Sequence, residues 1–307
     1  MIAPARALRA GERMLGLGGR PWLMGIVNAT PDSFSDAGLH DSLPERVELA
    51  RSLLAAGADL IDIGGESGVT NHPPVDPDEE IARVVPLIEL VAGALGALVS
   101  VDTYKPDVAR AAIAAGASIV NDVSGLRDPE LADVCAATGA ALVLMHTRAA
   151  PKQKLLERCY DDRIVADVKT FLGERIRLAL ARGVGREQLM LDPGPDFGKT
   201  PAQTVDVLRH LEALHQLERP LLLAVSRKDF VGAICRRAPR DRLAGTLAAI
   251  GYGVDAGAHV LRVHDVAATA DFLAMRAVLA GHSDVDRGLR LPEELAREQR
   301  ASRLAGH

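Results

Sequence analysis

From Trp22 to Leu279 one phrase recurs along the chain: a short aliphatic or β-branched run, a polar or glycine-rich break, then an Ala/Leu/Arg/Glu stretch with helical spacing. The apolar runs are "WLMGIV" (22–27), "DLIDIG" (59–64), "ALVSV" (97–101), "SIVND" (118–122), "ALVLMH" (141–146), "LMLD" (189–192), "LLLAV" (221–225) and "HVLRVH" (259–264). Several helical stretches close with a glycine, as in "AAGA", "ATGA", "ARGV" and "DAGA", where freedom to take positive φ ends a helix before the next strand. Runs that are apolar at nearly every position belong to strands buried on both faces, as in parallel sheets. Eight such strands alternating with eight helices predict an α/β fold. Its most economical form is a closed (β/α)8 TIM barrel. An open doubly wound sheet has the same periodicity and stays open as the alternative.

No segment resembles an interdomain linker, so residues 1–307 are expected to form one domain with its core at about 20–282. Residues 1–20 fall outside the rhythm; their glycines predict a short hairpin or plug at the bottom of the barrel. The charged tail from about Asp284 is expected to be a surface helix or partly disordered. A net charge of -5 and an aromatic content of 3% argue against a nucleic-acid partner. Cys135, Cys159 and Cys235 are too scattered for a disulfide framework or a zinc site. The N-terminus lacks the apolar region of a secretion signal, and no apolar run is long enough to span a membrane. A cytoplasmic protein with no membrane partner is the expectation.

In a barrel, functional groups gather at the C-terminal ends of the strands. Read in order, those ends carry Asn28 with Asp32, Asp62 with Glu66, Asp102, Asn121 with Asp122, and His146. Then come Asp192, the triplet Ser226-Arg227-Lys228, and Arg262 with His264. A single Asp or Asn after a strand is often only a helix cap, and a single His a satisfied structural imidazole. Polar groups at all eight ends, above such apolar interiors, point instead to a pocket for a polar, partly anionic small molecule. The cations fall late, at Arg227, Lys228, Arg262 and His264, where barrels often hold phosphate. Asp102, Asn121 and Asp192 are expected on the opposite wall. Ionised carboxylates only accept hydrogen bonds, so Asp102 and Asp192 call for a donor edge such as an amino-pyrimidinone. The pattern reads as a heterocycle carrying phosphate.

These residues lie in segments that resemble the dihydropteroate synthase family. "GIVNATPDSFSD", "GADLIDIGGES", "VSVDTYKPDVARAAIAAGASIVNDVSG", "LVLMH", "LDPGPDFGKT", "SRKDFVG", "RLAGTLAA" and "LRVHDV" occur in that family's order, from about Trp22 to Leu279. The resemblance implies a (β/α)8 barrel that joins 6-hydroxymethyl-7,8-dihydropterin pyrophosphate to p-aminobenzoate and releases pyrophosphate. It implies that Asp102, Asn121, Asp192 and Lys228 hold the pterin, with Met145 packed against its ring. Asn28 would bind Mg2+ on the pyrophosphate, which Arg262 and His264 would hold. Phe197 and Ser226 would lie near the aminobenzoate path. The first loop, with Thr30, Pro31, Asp32, Ser33 and Phe34, would close over the site. His146 is not assigned as a base, because the attacking aniline is neutral and needs none. A homodimer is also implied, and "VHDVAATADFLAMRAVLAG" offers apolar surface for one.

Three places depart from the family pattern. After "GGES" this chain reads "GVTNHPP" where the family has a Thr-Arg-Pro segment; Thr70 and His72 are the candidates to substitute for the missing arginine, against the reading of His72 as a solvated loop residue. Pro195-Asp196 stands where the family commonly has Ile-Gly, and Asp229 where a serine is usual. An added carboxylate beside a carboxylate substrate is unfavourable unless it points away or pairs with Arg227. The alternatives are a relative that binds pterin pyrophosphate with little or no condensation, a pterin-dependent methyltransferase, and a generic phosphosugar barrel.

Overall fold

All eight apolar runs form strands. The computed structural model of the chain describes residues 7–30, 42–67, 73–153, 163–292 and 295. A first hairpin pairs β1 (Ala7–Ala10) antiparallel with β2 (Arg13–Gly16). The parallel strands follow: β3 (Trp22–Asn28), β4 (Leu60–Gly64), β5 (Leu98–Asp102), β6 (Ile119–Asp122), β7 (Ala141–Met145), β8 (Leu189–Asp192), β9 (Leu222–Leu223) and β10 (Val260–Val263). Their order is β8-β7-β6-β5-β4-β3-β10-β9. A parallel bridge between Leu191 and Leu221 joins the two ends, backed by Leu191 N–H donating to the Pro220 carbonyl at 2.9 Å. The sheet is therefore a closed barrel, and the open doubly wound alternative is excluded.

The seventh barrel strand is much shorter than its apolar run. Pro220 has no N–H, and the Leu221 N–H donates to His259 Nδ1 at 3.0 Å, so part of the ladder is spent on a side chain. The connecting helices are α1 (Leu43–Ala55), α2 (Pro77–Glu89), α3 (Pro106–Ala114), α4 (Glu130–Thr138), α5 (Ile164–Ala181), α6 (Pro201–Arg209), α7 (Asp229–Cys235), α8 (Leu243–Asp255) and α9 (Val266–Leu279). Ser42 with Glu45, and Thr200 with Gln203, start α1 and α6 as reciprocal capping boxes. The helix α7 is additional to the eight-fold alternation. Among the described residues no helix is long and apolar enough to cross a membrane. Residues 284–292 of the tail contain turns and no helix.

Alternation along each strand sorts side chains to two sides. Outward residues such as Leu23, Ile61, Val99, Val120, Leu142 and Leu261 pack with Leu53, Val84, Val108 and their helical neighbours. Inward residues at the strand starts form a second cluster: Met24, Leu60, Leu98, Ile119, Ala141, Leu222 and Val260. Leu8, Ala10, Leu15 and Leu17 of the hairpin segment complete that cluster, so the hairpin plugs the bottom of the barrel. Each large side chain so buried contributes about 1.5–3 kcal/mol. Gly11 N–H donates to the Gly139 carbonyl at 2.9 Å, and Arg9 reaches Glu187 at 2.9 Å and Gln188 at 2.7 Å, which fastens the plug.

Candidate active site

Above this floor the interior of five strands turns polar within two residues. Leu60 is followed by Asp62, Leu98 by Ser100 and then Asp102, Ile119 by Asn121, Met190 by Asp192, and Val260 by Arg262. The side-chain period of two places these groups above the apolar floor. Arg262 ties them together. Its Nε donates to Asp62 Oδ2 at 2.6 Å and its Nη2 to Asp102 Oδ2 at 2.8 Å. Asn121 Nδ2 donates to the same Asp62 oxygen at 3.2 Å. The charges are thus not segregated onto opposite walls as expected: Arg262 crosses from β10 to carboxylates on β4 and β5.

This cluster is short of donors. Asp62 Oδ1, Asn121 Oδ1 and Ser100 Oγ are buried with no hydrogen-bond partner among the described residues. Burial pushes the Asp102 carboxyl up to about 7, with Arg262 pulling it down and Asp62 and Glu80 pushing it up. Burial also raises Asp192, against the Gly194 N–H that donates to its Oδ1 at 2.7 Å and against Lys228. Four inward side chains, Asp62, Asp102, Asn121 and Asp192, therefore present acceptor oxygens to one interior. Their natural complement is a flat group rich in N–H donors.

Lys228 stands at the start of α7, and its Nζ lies 4.2 Å from the centre of the Phe197 ring. Burial lowers its pKa, while Asp196, Asp192 and Asp102 act to raise it. Met145 ends β7 in register with Asp192 and is buried. Ser226 Oγ accepts from His264 N–H at 3.2 Å and lies 3.0 Å from His264 Nδ1. Burial, then Arg227 and Arg262, push the His264 imidazole down to about 3, so at pH 7 it is neutral rather than the expected cation. In the tautomer whose Nδ1 accepts the Ser226 hydroxyl, the His264 Nε2–H is a donor for an anion. Arg227 turns away from the interior. It pairs with Asp265 at 3.0 Å and 2.6 Å, which removes it from the expected group of pocket cations.

Below the rim a second polar chain fixes the loop after β8. Lys199 Nζ donates to His146 Nδ1 at 2.7 Å and to the Gly194 carbonyl at 2.7 Å, and reaches the Phe197 carbonyl at 3.2 Å. His146 Nε2 lies 3.3 Å from Asp167 Oδ2. Burial and then Lys199 push His146 down to about 3, so it is neutral at pH 7. A Cβ at Gly194 would fall 2.0 Å from the His146 carbonyl oxygen, so only glycine lets this loop pass.

Asn28 ends β3 in register with Gly64, and Thr30 is buried with its carbonyl accepting from Arg46 Nη2 at 3.3 Å. Pro31, Asp32, Ser33 and Phe34 lie outside the described residues, as do Thr70 and His72 of the second loop. Glu66 braces the stem of that loop. Burial opposes its ionisation, but Lys105 at 2.6 Å, Val75 N–H at 2.9 Å and Tyr104 OH at 3.0 Å hold its carboxyl below the usual range. Lys152 reaches across to the Ser67 carbonyl and, at 3.4 Å, to Glu66 Oε1. Asp229 is 90% exposed and pairs with Arg242 at 2.9 Å, so it points away from the site, with Arg242 rather than Arg227 as its partner.

Sequence reading placed Asp62 among the polar strand ends without giving it a role, and did not weigh Ser100 or Lys199. Asp62 and Ser100 sit inside apolar runs, and their signal was a polar residue at an inward position of a strand otherwise buried on both faces.

The comparisons agree with this geometry. The sequence model of a family described as pterin binding enzyme matches residues 24–264. The dihydropteroate synthase of Escherichia coli (strain K12) is 40% identical over 260 residues, covering 85% of this chain and 91% of the relative. That of Bacillus subtilis (strain 168) is 41% identical over 267 residues, covering 87% and 91%. The solved structure of Xanthomonas albilineans dihydropteroate synthase with 4-aminobenzoic acid matches with a TM-score of 0.82 and 42% identity, over 92% of this chain and 100% of that one. The chain belongs to the pterin-binding enzyme family and, within it, to the dihydropteroate synthases.

Proposed function

We propose that the chain is a transferase that joins 6-hydroxymethyl-7,8-dihydropterin pyrophosphate to p-aminobenzoate, releasing pyrophosphate and 7,8-dihydropteroate. The observation that carries the reading is the convergence of acceptors at Asp62, Asp102, Asn121 and Asp192 beside Lys228 and Arg262. The pterin's N–H edge meets Asp102, Asn121 and Asp192, its ring lies against Met145, and Lys228 donates to its oxygen and nitrogen acceptors. Arg262 Nη1 makes no hydrogen bond among the described residues, which leaves it a donor for pyrophosphate while Nε and Nη2 keep their carboxylates. His264 adds its Nε2–H. Phe197 and Ser226 border the approach of the aminobenzoate.

The reaction breaks the C–O bond to pyrophosphate, leaving a cation delocalised over the dihydropterin. The aniline nitrogen then attacks that carbon and loses its proton. Arg262 and His264 stabilise charge developing on the leaving group. The apolar floor and Met145 limit water, the competing nucleophile. His146, buried and turned to Lys199 and Asp167, takes no part in proton transfer.

Asn28 fits a Mg2+ site of low protein-ligand number. Among the described residues no three His, Cys, Asp or Glu side chains form a metal cluster, and one amide oxygen suits an ion held mainly by substrate phosphates and water. Mg2+ there would supply countercharge to the pyrophosphate.

The chain is further proposed to act as a cytoplasmic homodimer built of one domain per subunit. Exposed Tyr252 of α8 and Met275 and Leu279 of α9 support the pairing face. Pyrophosphate release, measured with and without aminobenzoate and with and without Mg2+, tests the function. Release that depends on both supports it. Pterin pyrophosphate binding without release would identify a binding protein instead.

A further inference from the structure

We propose that Asp196 is a positioning residue of this reaction: its carboxylate ties the loop after β8 to the start of α7 and so sets the place and the electrostatic surroundings of the Lys228 side chain. The inference rests on the proposed function, since it concerns the lysine that receives the pterin.

Asp196 adopts φ 66, the left-handed region that favours glycine and that Asp tolerates better than most residues. The side chain repays that conformation. Asp196 N–H donates to Thr204 Oγ1 at 3.1 Å, and the same hydroxyl donates back to Asp196 Oδ1 at 3.3 Å, which fixes the loop to α6. Oδ2 accepts from Phe230 N–H at 3.1 Å, in the first turn of α7 and two residues beyond Lys228. The next residue, Phe197, places its ring 4.2 Å from Lys228 Nζ. One loop thus braces Lys228 through the backbone that carries it and through a ring against its ammonium.

The electrostatics run the same way. Facing Lys228 are Asp196 and Asp192 from the β8 end, Asp102 from β5 and Arg262 from β10; Lys199 and His264 are also within its field. Of the carboxylates, Asp196 does most to offset the burial that pushes Lys228 down. Asp102 and Asp192 are the two that a pterin's donors would engage, whereas Asp196 is committed to Thr204 and Phe230. Among the described residues no ion pair within 4.0 Å joins Asp196 to Lys228, so its charge acts on the lysine at longer range from a fixed place.

The test uses the full chain labelled with 15N-lysine, with the Lys228 side-chain resonance assigned from Lys228→Met. Asp196→Asn keeps an oxygen for the Phe230 N–H and removes the charge. The Lys228 titration midpoint is expected to fall by about one pH unit; an unmoved midpoint overturns the proposal. Calorimetry with 6-hydroxymethyl-7,8-dihydropterin pyrophosphate at the wild-type midpoint should show affinity reduced about fivefold in Asp196→Asn, and no difference about two units lower. An equal loss at both pH values would make Asp196 a loop tie only and refute the charge coupling. Failure of the wild-type chain to bind this pterin would overturn the proposed function, while the lysine midpoint would still decide what Asp196 does.

Discussion

Replacing Arg262 with methionine removes the cation that, among the described residues, touches both Asp62 and Asp102, and the damage should depend on pH in a set direction. Asp62 is 0% exposed and would lose its partner at 2.6 Å; Asp102 would lose its partner at 2.8 Å. Stripping a buried charge of its partner costs about 3–5 kcal/mol. Asp102 already sits at about 7 rather than near its usual value. A raised folded pKa contributes stability that is present at low pH and is lost as pH climbs through the folded pKa. For wild-type Asp102 that loss is at most about 4 kcal/mol, and less in practice because its side chain is 21% exposed. Without Arg262, which pulls it down, Asp102 titrates higher still and the loss extends above pH 7. Urea unfolding followed by circular dichroism at about pH 5.5 and about pH 8.5 should therefore show a wider gap between wild type and Arg262→Met at the higher pH. An equal gap at both, or one below about 1 kcal/mol at the higher pH, would refute the view that Arg262 holds these carboxylates.

Asp102→Asn should reduce product formation from pterin pyrophosphate and aminobenzoate by at least about a hundredfold, since a charged acceptor becomes an amide; unchanged turnover would remove Asp102 from the site. Lys199, held down at about 7, gives up its proton far earlier folded than unfolded, so its contribution to stability grows as pH rises above 7. Thermal melts should show wild type gaining on Lys199→Met between about pH 7 and about pH 10, and parallel curves would count against the clamp. Asp229→Ser should leave the KM for aminobenzoate within about twofold, because the carboxylate faces solvent and Arg242. Met275→Glu with Leu279→Glu should convert a dimer to a monomer in light scattering; an unchanged mass would place the pairing face elsewhere.

The barrel was legible because burial on both faces leaves a parallel strand no polar alternative, and eight apolar runs say so plainly. Strand ends were legible for the same reason: Asp102, Asn121, Asp192 and Lys228 interrupt apolar runs where loops begin. What escaped lies across the lumen. Arg262 and Asp62 are 200 residues apart, and no local pattern says which of three inward carboxylates an arginine from the last strand will meet. The helix α7 escaped because 7 residues are too few to show a helical period. Its direction is what turns Asp229 outward and brings Phe230 N–H to Asp196. Lys199 drew no attention because only the fold brings its ammonium to His146, 53 residues away.

The hairpin at the floor has a kinetic consequence. With Leu8 and Leu15 sealing one end, the lumen is a blind well with a single mouth. In the proposed function the pterin rests on the inner carboxylates, so whatever lies above it would block its exit. Entry and departure then follow the rule of a stack, last in and first out. Aminobenzoate should be unable to bind productively before the pterin, and steady-state product inhibition should follow a compulsory order, imposed by four apolar side chains far from any reacting atom.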